Sequence, residues 1–134
     1  MLFETDITVL TTHTVAAKLQ TRIKLTRGIL HYVGVFFPPG CQGVVHCAIN
    51  RGIHQFFPVT PGTSCKGDTL EIGGTQFQPI LSAPYEVDVW GWSEAALYDH
   101  IITVRLWVMQ IWQMMPFSDQ MYQLALADEL KIAP

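Results

Sequence analysis

The chain predicts a mainly β fold, an antiparallel β-sandwich of about eight strands with one C-terminal amphipathic helix. Three observations predict it. Apolar and polar residues alternate with period two through much of residues 1–108, the repeat of a half-buried strand. Breaks rich in Gly and Pro recur between these runs, as turns do in all-β domains. Only after Val108 does the spacing become helical.

A length of 134 residues suits one domain with its own core, divided here into a β-sandwich over 1–116 and a helical tail over 117–134. Hydrophobic residues make up 49% of the chain and charged residues 14%, against a usual charged share of about 25%. Such a chain has a very full core or buries surface against another chain. Apolar residues at outward strand positions favour the second, so the tail is expected to pack on the domain or on a neighbouring subunit.

Met1 to Leu10 alternates, with Phe3, Thr5, Ile7 and Val9 on one side, and reads as an edge strand. Thr11 to Thr21 is irregular and reads as a connection. Arg22 to Phe37 is the longest β-like run, with Gly28 as an expected bulge and both faces apolar after it. Phe37-Pro38-Pro39-Gly40 ends it, because two prolines remove backbone donors and the glycine supplies a corner. Val44–Asn50 and Ile53–Pro58 flank Arg51-Gly52 and predict a tight hairpin. Residues 59–68 read as a loop. Thr69–Ile72 and Thr75–Leu81 read as two short strands split by Gly73-Gly74.

Tyr85 to Val108 predicts the central hairpin. Pairing Val89 with Val104 and Val87 with Leu106 keeps apolar opposite apolar, and sets Asp88 opposite Arg105. Its other face then carries Trp90, Trp92, Arg105 and Trp107 together. Beyond it, Ser118 is an expected N-cap and Asp119 favours the positive helix end. Met121, Leu124, Ala125 and Leu130 follow at helical spacing.

Charge and motifs exclude several functions. The net charge is −3, and the basic residues are too scattered for nucleic acid or an anionic membrane. The charge is uneven: residues 1–66 hold six basic residues against two acidic, and residues 67–134 hold two against nine. That asymmetry suits association through complementary patches. No run reaches the length of a membrane span, and the first residues lack the basic start of a secretory signal. Cys41, Cys47 and Cys65 form no CxxC and read as reduced thiols, with a Cys41–Cys65 bridge between two loops left open. The histidines have no metal-ligand spacing, so no metal or cofactor is expected. His31 and His46 lie mid-strand and could converge across neighbouring strands. Glu86 and Asp88 beside Arg105 read as a charge-balanced surface, and neither Cys41 nor Cys47 lies near a predicted helix start that would activate its thiol.

Gly28-Ile29, Phe37-Pro38-Pro39-Gly40-Cys41, Phe57-Pro58, Pro84-Tyr85-Glu86 and His100 to Arg105 together resemble small jelly-roll or β-sandwich proteins of phage-like and environmental sequences. The resemblance covers roughly residues 3–108 and lies in structural positions. It implies a virion role (capsid, decoration or tail-associated) or another self-assembling one, and it carries over no functional residue. The expected function is therefore a non-enzymatic structural protein, virion-borne or cytoplasmic, that forms a homo-oligomer or larger assembly. The alternative is a β-sandwich module that binds a carbohydrate or another small ligand through exposed Trp residues. Candidate contact residues are Trp90, Trp92, Arg105, Trp107, Trp112, Met121 and Leu124.

Overall fold

A computed structural model describes residues 1–94, 97–110 and 127. The expected helix, with Trp112, Met121 and Leu124, lies outside the described residues, Ala127 apart. The strands are β1 (Leu2–Val9), β2 (Leu19–Lys24), β3 (Gly28–Phe37), β4 (Val45–Arg51), β5 (His54–Phe57), β6 (Cys65–Lys66), β7 (Leu70–Ile80), β8 (Glu86–Ser93) and β9 (His100–Met109). All their pairings are antiparallel.

They form two sheets. One has the order β1-β9-β3-β7; the other has β2-β8-β4-β5, with β6 also paired to β4. The core lies between them. Val33, Val35, Val104 and Leu106 enter it from the four-stranded sheet, and Val45, Ile49, Val87 and Val89 from the five-stranded one, all at most 1% exposed. Burying each such side chain contributes about 1.5–3 kcal/mol, enough to fix which face of every strand turns inward.

The central hairpin is the main correction. β8 pairs with β2 and β4, whereas β9 pairs with β1 and β3. The inward rows are the expected ones, but Val87 and Val89 meet Val104 and Leu106 across the core rather than beside them in one sheet. Period-two alternation says which face is buried, and a facing sheet satisfies it as well as a neighbouring strand does. Asp88 and Arg105 consequently stand on opposite outer faces. Asp88 faces Arg22 and Asn50 on its neighbouring strands, and Arg105 faces Glu4 and Gly34.

The expected long strand from Arg22 to Phe37 is likewise two strands in different sheets, since β2 lies beside β8 and β3 lies between β9 and β7. Gly28 is no bulge. It opens β3 against the end of β9, where a Cβ would sit 2.6 Å from the Met109 carbonyl oxygen. The bulge falls at His31, between Leu30 and Tyr32. Conversely, β7 runs unbroken through Gly73-Gly74. The β4–β5 hairpin is present, with Gly52 at φ 61° in its turn. Cys65 stands directly opposite Cys47, and all three cysteines are buried free thiols, so no Cys41–Cys65 bridge forms.

Candidate functional site

The outer face of the five-stranded sheet carries the residues best arranged to hold a ligand. On β8 the outward positions are Glu86, Asp88, Trp90 and Trp92, and on β4 they are His46, Ala48 and Asn50. Trp92 pairs with His46, Trp90 with Ala48, and Asp88 with Asn50. The small Ala48 beside Trp90 leaves a gap in the row. Trp90, Trp92, Asn50, Gln55, Thr63 and Lys18 surround that gap, an open cleft of about 230 Å³.

The two tryptophans play different parts. Trp92 is only 7% exposed. Its ring stacks on His46, with centroids 5.4 Å apart and planes 3° apart, and the Lys18 ammonium lies 4.2 Å from the Trp92 ring centre. Such a cation over an indole face is attracted by the ring quadrupole. His46 is held in turn by a 2.8 Å hydrogen bond between Nδ1 and Ser64 Oγ, and its Nε2 lies 3.5 Å from Glu94. Trp92 is thus a braced wall, while half-buried Trp90 keeps the more open ring.

Polar groups converge beside it. The Gln55 amide nitrogen, with two hydrogens to give, lies 2.8, 3.2 and 2.9 Å from the carbonyl oxygens of Pro58, Thr60 and Thr63, which folds the 58–63 loop into a rim for the cleft. Asn50 Oδ1 is buried and has no hydrogen-bond partner among the described residues. A buried acceptor left unpaired costs about 1–3 kcal/mol, and a donor in the cleft reaches this one only if the Asn50 amide turns outward.

Next along the same seam is a second cleft of about 480 Å³, lined by Arg22, Arg51, His54, Glu86 and Asp88 among others. Arg22 Nε lies 3.3 Å from Glu86 and donates to Asp88 at 3.0 Å. Arg51 donates to the backbone carbonyls of Pro79 and Ser82 at 2.7 and 2.9 Å, reaching across the sandwich edge.

Arg105 and Trp107, expected on the same face as Trp90 and Trp92, lie instead on the outer face of the four-stranded sheet. There Arg105 lies 3.3 Å from Glu4 and is ion-paired with Glu71, which accepts a 3.0 Å hydrogen bond from the Tyr32 hydroxyl. One residue from each of the four strands thereby forms a chain across the sheet. His31 packs edge-on against Trp107, with ring centroids 6.4 Å apart. His31 and His46 therefore belong to opposite faces and do not converge. Trp112, Met121 and Leu124 lie outside the described residues.

Residue types alone did not single out Asn50, Gln55 and Lys18. Their signal was positional: Asn50 follows the outward His46 and Ala48 on a strand whose other side is apolar through Val45, Cys47 and Ile49. Among the described residues, no group of three or more His, Cys, Asp or Glu side chains is placed to hold a metal ion, and no helix is long and apolar enough to cross a membrane.

No family model and no curated protein matches the chain. It is similar to a solved structure, the exo-β-1,3-galactanase from Phanerochaete chrysosporium with galactose, at 12% identity and a TM-score of 0.35. That likeness covers 80% of this chain and 27% of the galactanase chain, so this chain spans about a quarter of its length. It is too slight to speak to this chain's role.

Proposed function

We propose that this protein is a non-catalytic binding module whose ligand is a carbohydrate, seated on Trp90 in the cleft of the five-stranded sheet. One observation carries the reading: an accessible indole stands beside a braced second indole, over a floor whose Asn50 oxygen lacks a donor. Sugars present an apolar ring face and a rim of hydroxyls, and this cleft offers a stacking surface with amide partners. Glu86 and Asp88 are both tied to Arg22, which suits a surface held in charge balance better than an acid–base pair. Calorimetric titration with a panel of soluble oligosaccharides tests the reading. Binding by the wild type that Trp90→Ala removes supports it, and a panel without any binder sinks it.

The second reading is self-assembly through the other sheet. Its observation is a set of exposed apolar residues on the outer four-stranded face, where Trp107 is 41%, Ile101 54%, Leu2 43% and Phe77 63% exposed. Leu2 and Trp107 are direct cross-strand neighbours there. Light scattering across concentrations tests this reading; a monomer at every concentration removes it. Setting aside the two-residue β6, the strand order interleaves the sheets as a jelly roll does, a fold used by both viral capsid and lectin domains. The order therefore favours neither reading, and a virion or cytoplasmic location remains part of the second.

A further inference from the structure

The two clefts on the five-stranded face share one seam. Asn50 in the first is the direct cross-strand partner of Asp88 in the second and of Gln55 in the first, and Arg51 and His54 face each other one step on. From Trp92 to Glu86 the seam follows β8, a distance of about 20 Å at the usual rise per strand residue. That suits an oligomer lying along the strand better than a single sugar.

Its charges are distributed in a particular way. Glu86 and Asp88, in the same cleft as Arg51, both lie against Arg22. Lys18 at the aromatic end has only the Trp92 face beneath it, and Arg51 at the other end is bonded only to neutral backbone carbonyls. Among the described residues, neither Lys18 nor Arg51 has a carboxylate within ion-pair distance. The uneven charge of the chain also maps onto the fold. Arg22, Lys24 and Lys66 share the outer face of the five-stranded sheet with Glu86 and Asp88, whereas the four-stranded outer face sets Glu4, Asp6 and Glu71 against Arg105.

We infer that the two clefts are one groove for an anionic oligosaccharide, with its acidic groups met by Lys18 and Arg51 and a sugar ring stacked on Trp90. The inference rests on the carbohydrate-binding reading and adds the ligand's charge and length. An ammonium supplies a point charge and a guanidinium a planar fork, and both recognise carboxylate or sulfate.

The test is calorimetric titration of the full chain, at low and at physiological salt, with four probes. These are an oligogalacturonide, the same oligomer fully methyl-esterified, a heparin-derived oligosaccharide of similar length, and an oligothymidylate. The expected result is at least tenfold tighter binding of the acidic oligomer than of its ester, with the preference shrinking as salt rises. Lys18→Gln, which removes the ammonium over Trp92 but no hydrogen bond, should reduce that preference several-fold, as should Arg51→Lys. Trp90→Ala should remove binding of acidic and esterified oligomers alike. Tighter binding of the sulfated probe than the carboxylated one supports the inference and assigns sulfate as the anion. Equal, Trp90-dependent binding of acid and ester overturns it and leaves the carbohydrate reading standing. Absence of binding to every glycan overturns both, and tightest binding of the thymidylate overturns both in favour of single-stranded nucleic acid.

Discussion

Trp92 and His46 stack almost parallel across the β8–β4 pair, 5.4 Å between ring centroids, and this contact joins the stability of the sheet to the shape of the cleft. A stacked aromatic pair contributes about 0.5–1.5 kcal/mol beyond its buried area. The Ser64 hydrogen bond to His46 adds about 1 kcal/mol. His46→Ala should therefore destabilise the protein by about 1–3 kcal/mol and also weaken ligand binding. Trp90→Ala should remove binding at little cost in stability, because Trp90 is only half-buried. Chemical denaturation followed by circular dichroism, run beside the titrations, separates the two effects.

Asp88 and Arg105 offer a direct check on the strand pairing. In one hairpin they would be neighbours; in the sandwich they stand on opposite outer faces, with Asp88 3.0 Å from Arg22. A double-mutant cycle of Asp88→Asn with Arg22→Gln should show coupling, and the cycle with Arg105→Gln should show none. Coupling between Asp88 and Arg105 would restore the hairpin.

The error that this cycle tests shows what the sequence carries. Alternation at Val87, Val89, Val104 and Leu106 encodes burial, and every one of these residues is in the core. It does not encode partners, because a residue across the core and a residue on the next strand both meet an apolar side chain. Arg22 to Phe37 misled in the same way, its period-two pattern continuing while the chain crossed between sheets. Glycine was ambiguous for another reason. Gly28 and Gly73 answer to the close approach of atoms distant in sequence, Met109 and Val33, which no local pattern can announce. The cleft was half legible: Trp90 and Trp92 stood out by type, whereas Asn50 and Lys18 acquire meaning only once β4 and the approach to β2 lie beside β8.

Gly34 and Gly73 lie under the Tyr32 ring, and they differ in what surrounds them. A Cβ on Gly34 would meet only side-chain atoms, Tyr32 Oη at 2.9 Å, Tyr32 Cε1 at 3.0 Å and Glu71 Cδ at 3.2 Å. A Cβ on Gly73 would meet Tyr32 Oη at 2.7 Å and also the Val33 carbonyl oxygen at 2.7 Å. Overpacking of this kind costs about 1–3 kcal/mol. Both Gly→Ala variants should be destabilised, Gly73→Ala the more. Adding Tyr32→Ala should make Gly34→Ala harmless relative to Tyr32→Ala alone, and should leave Gly73→Ala costly. Denaturant midpoints for the two series decide it.

Tyr32 also makes stability depend on pH. Burial, and then its hydrogen bond to the Glu71 carboxylate and that carboxylate's charge, raise the phenol above its ordinary value of 10.0, against an opposing pull from Arg105. The folded protein thus keeps the Tyr32 proton to a higher pH than the unfolded chain does. Between those two values the unfolded state binds fewer protons, so the free energy of unfolding falls as pH rises. The contribution is complete below the ordinary phenol value and is lost as pH climbs through the folded one. Glu71→Gln removes the charge that holds the proton and frees Arg105, so the folded value should drop and the window narrow. Phenolate absorbance, taken as the difference between each protein and its Tyr32→Phe counterpart, follows this one hydroxyl among the four tyrosines of the chain. The wild-type difference curve should lie to the alkaline side of the Glu71→Gln curve. Superimposed curves would mean that the Tyr32–Glu71 contact does not hold the proton.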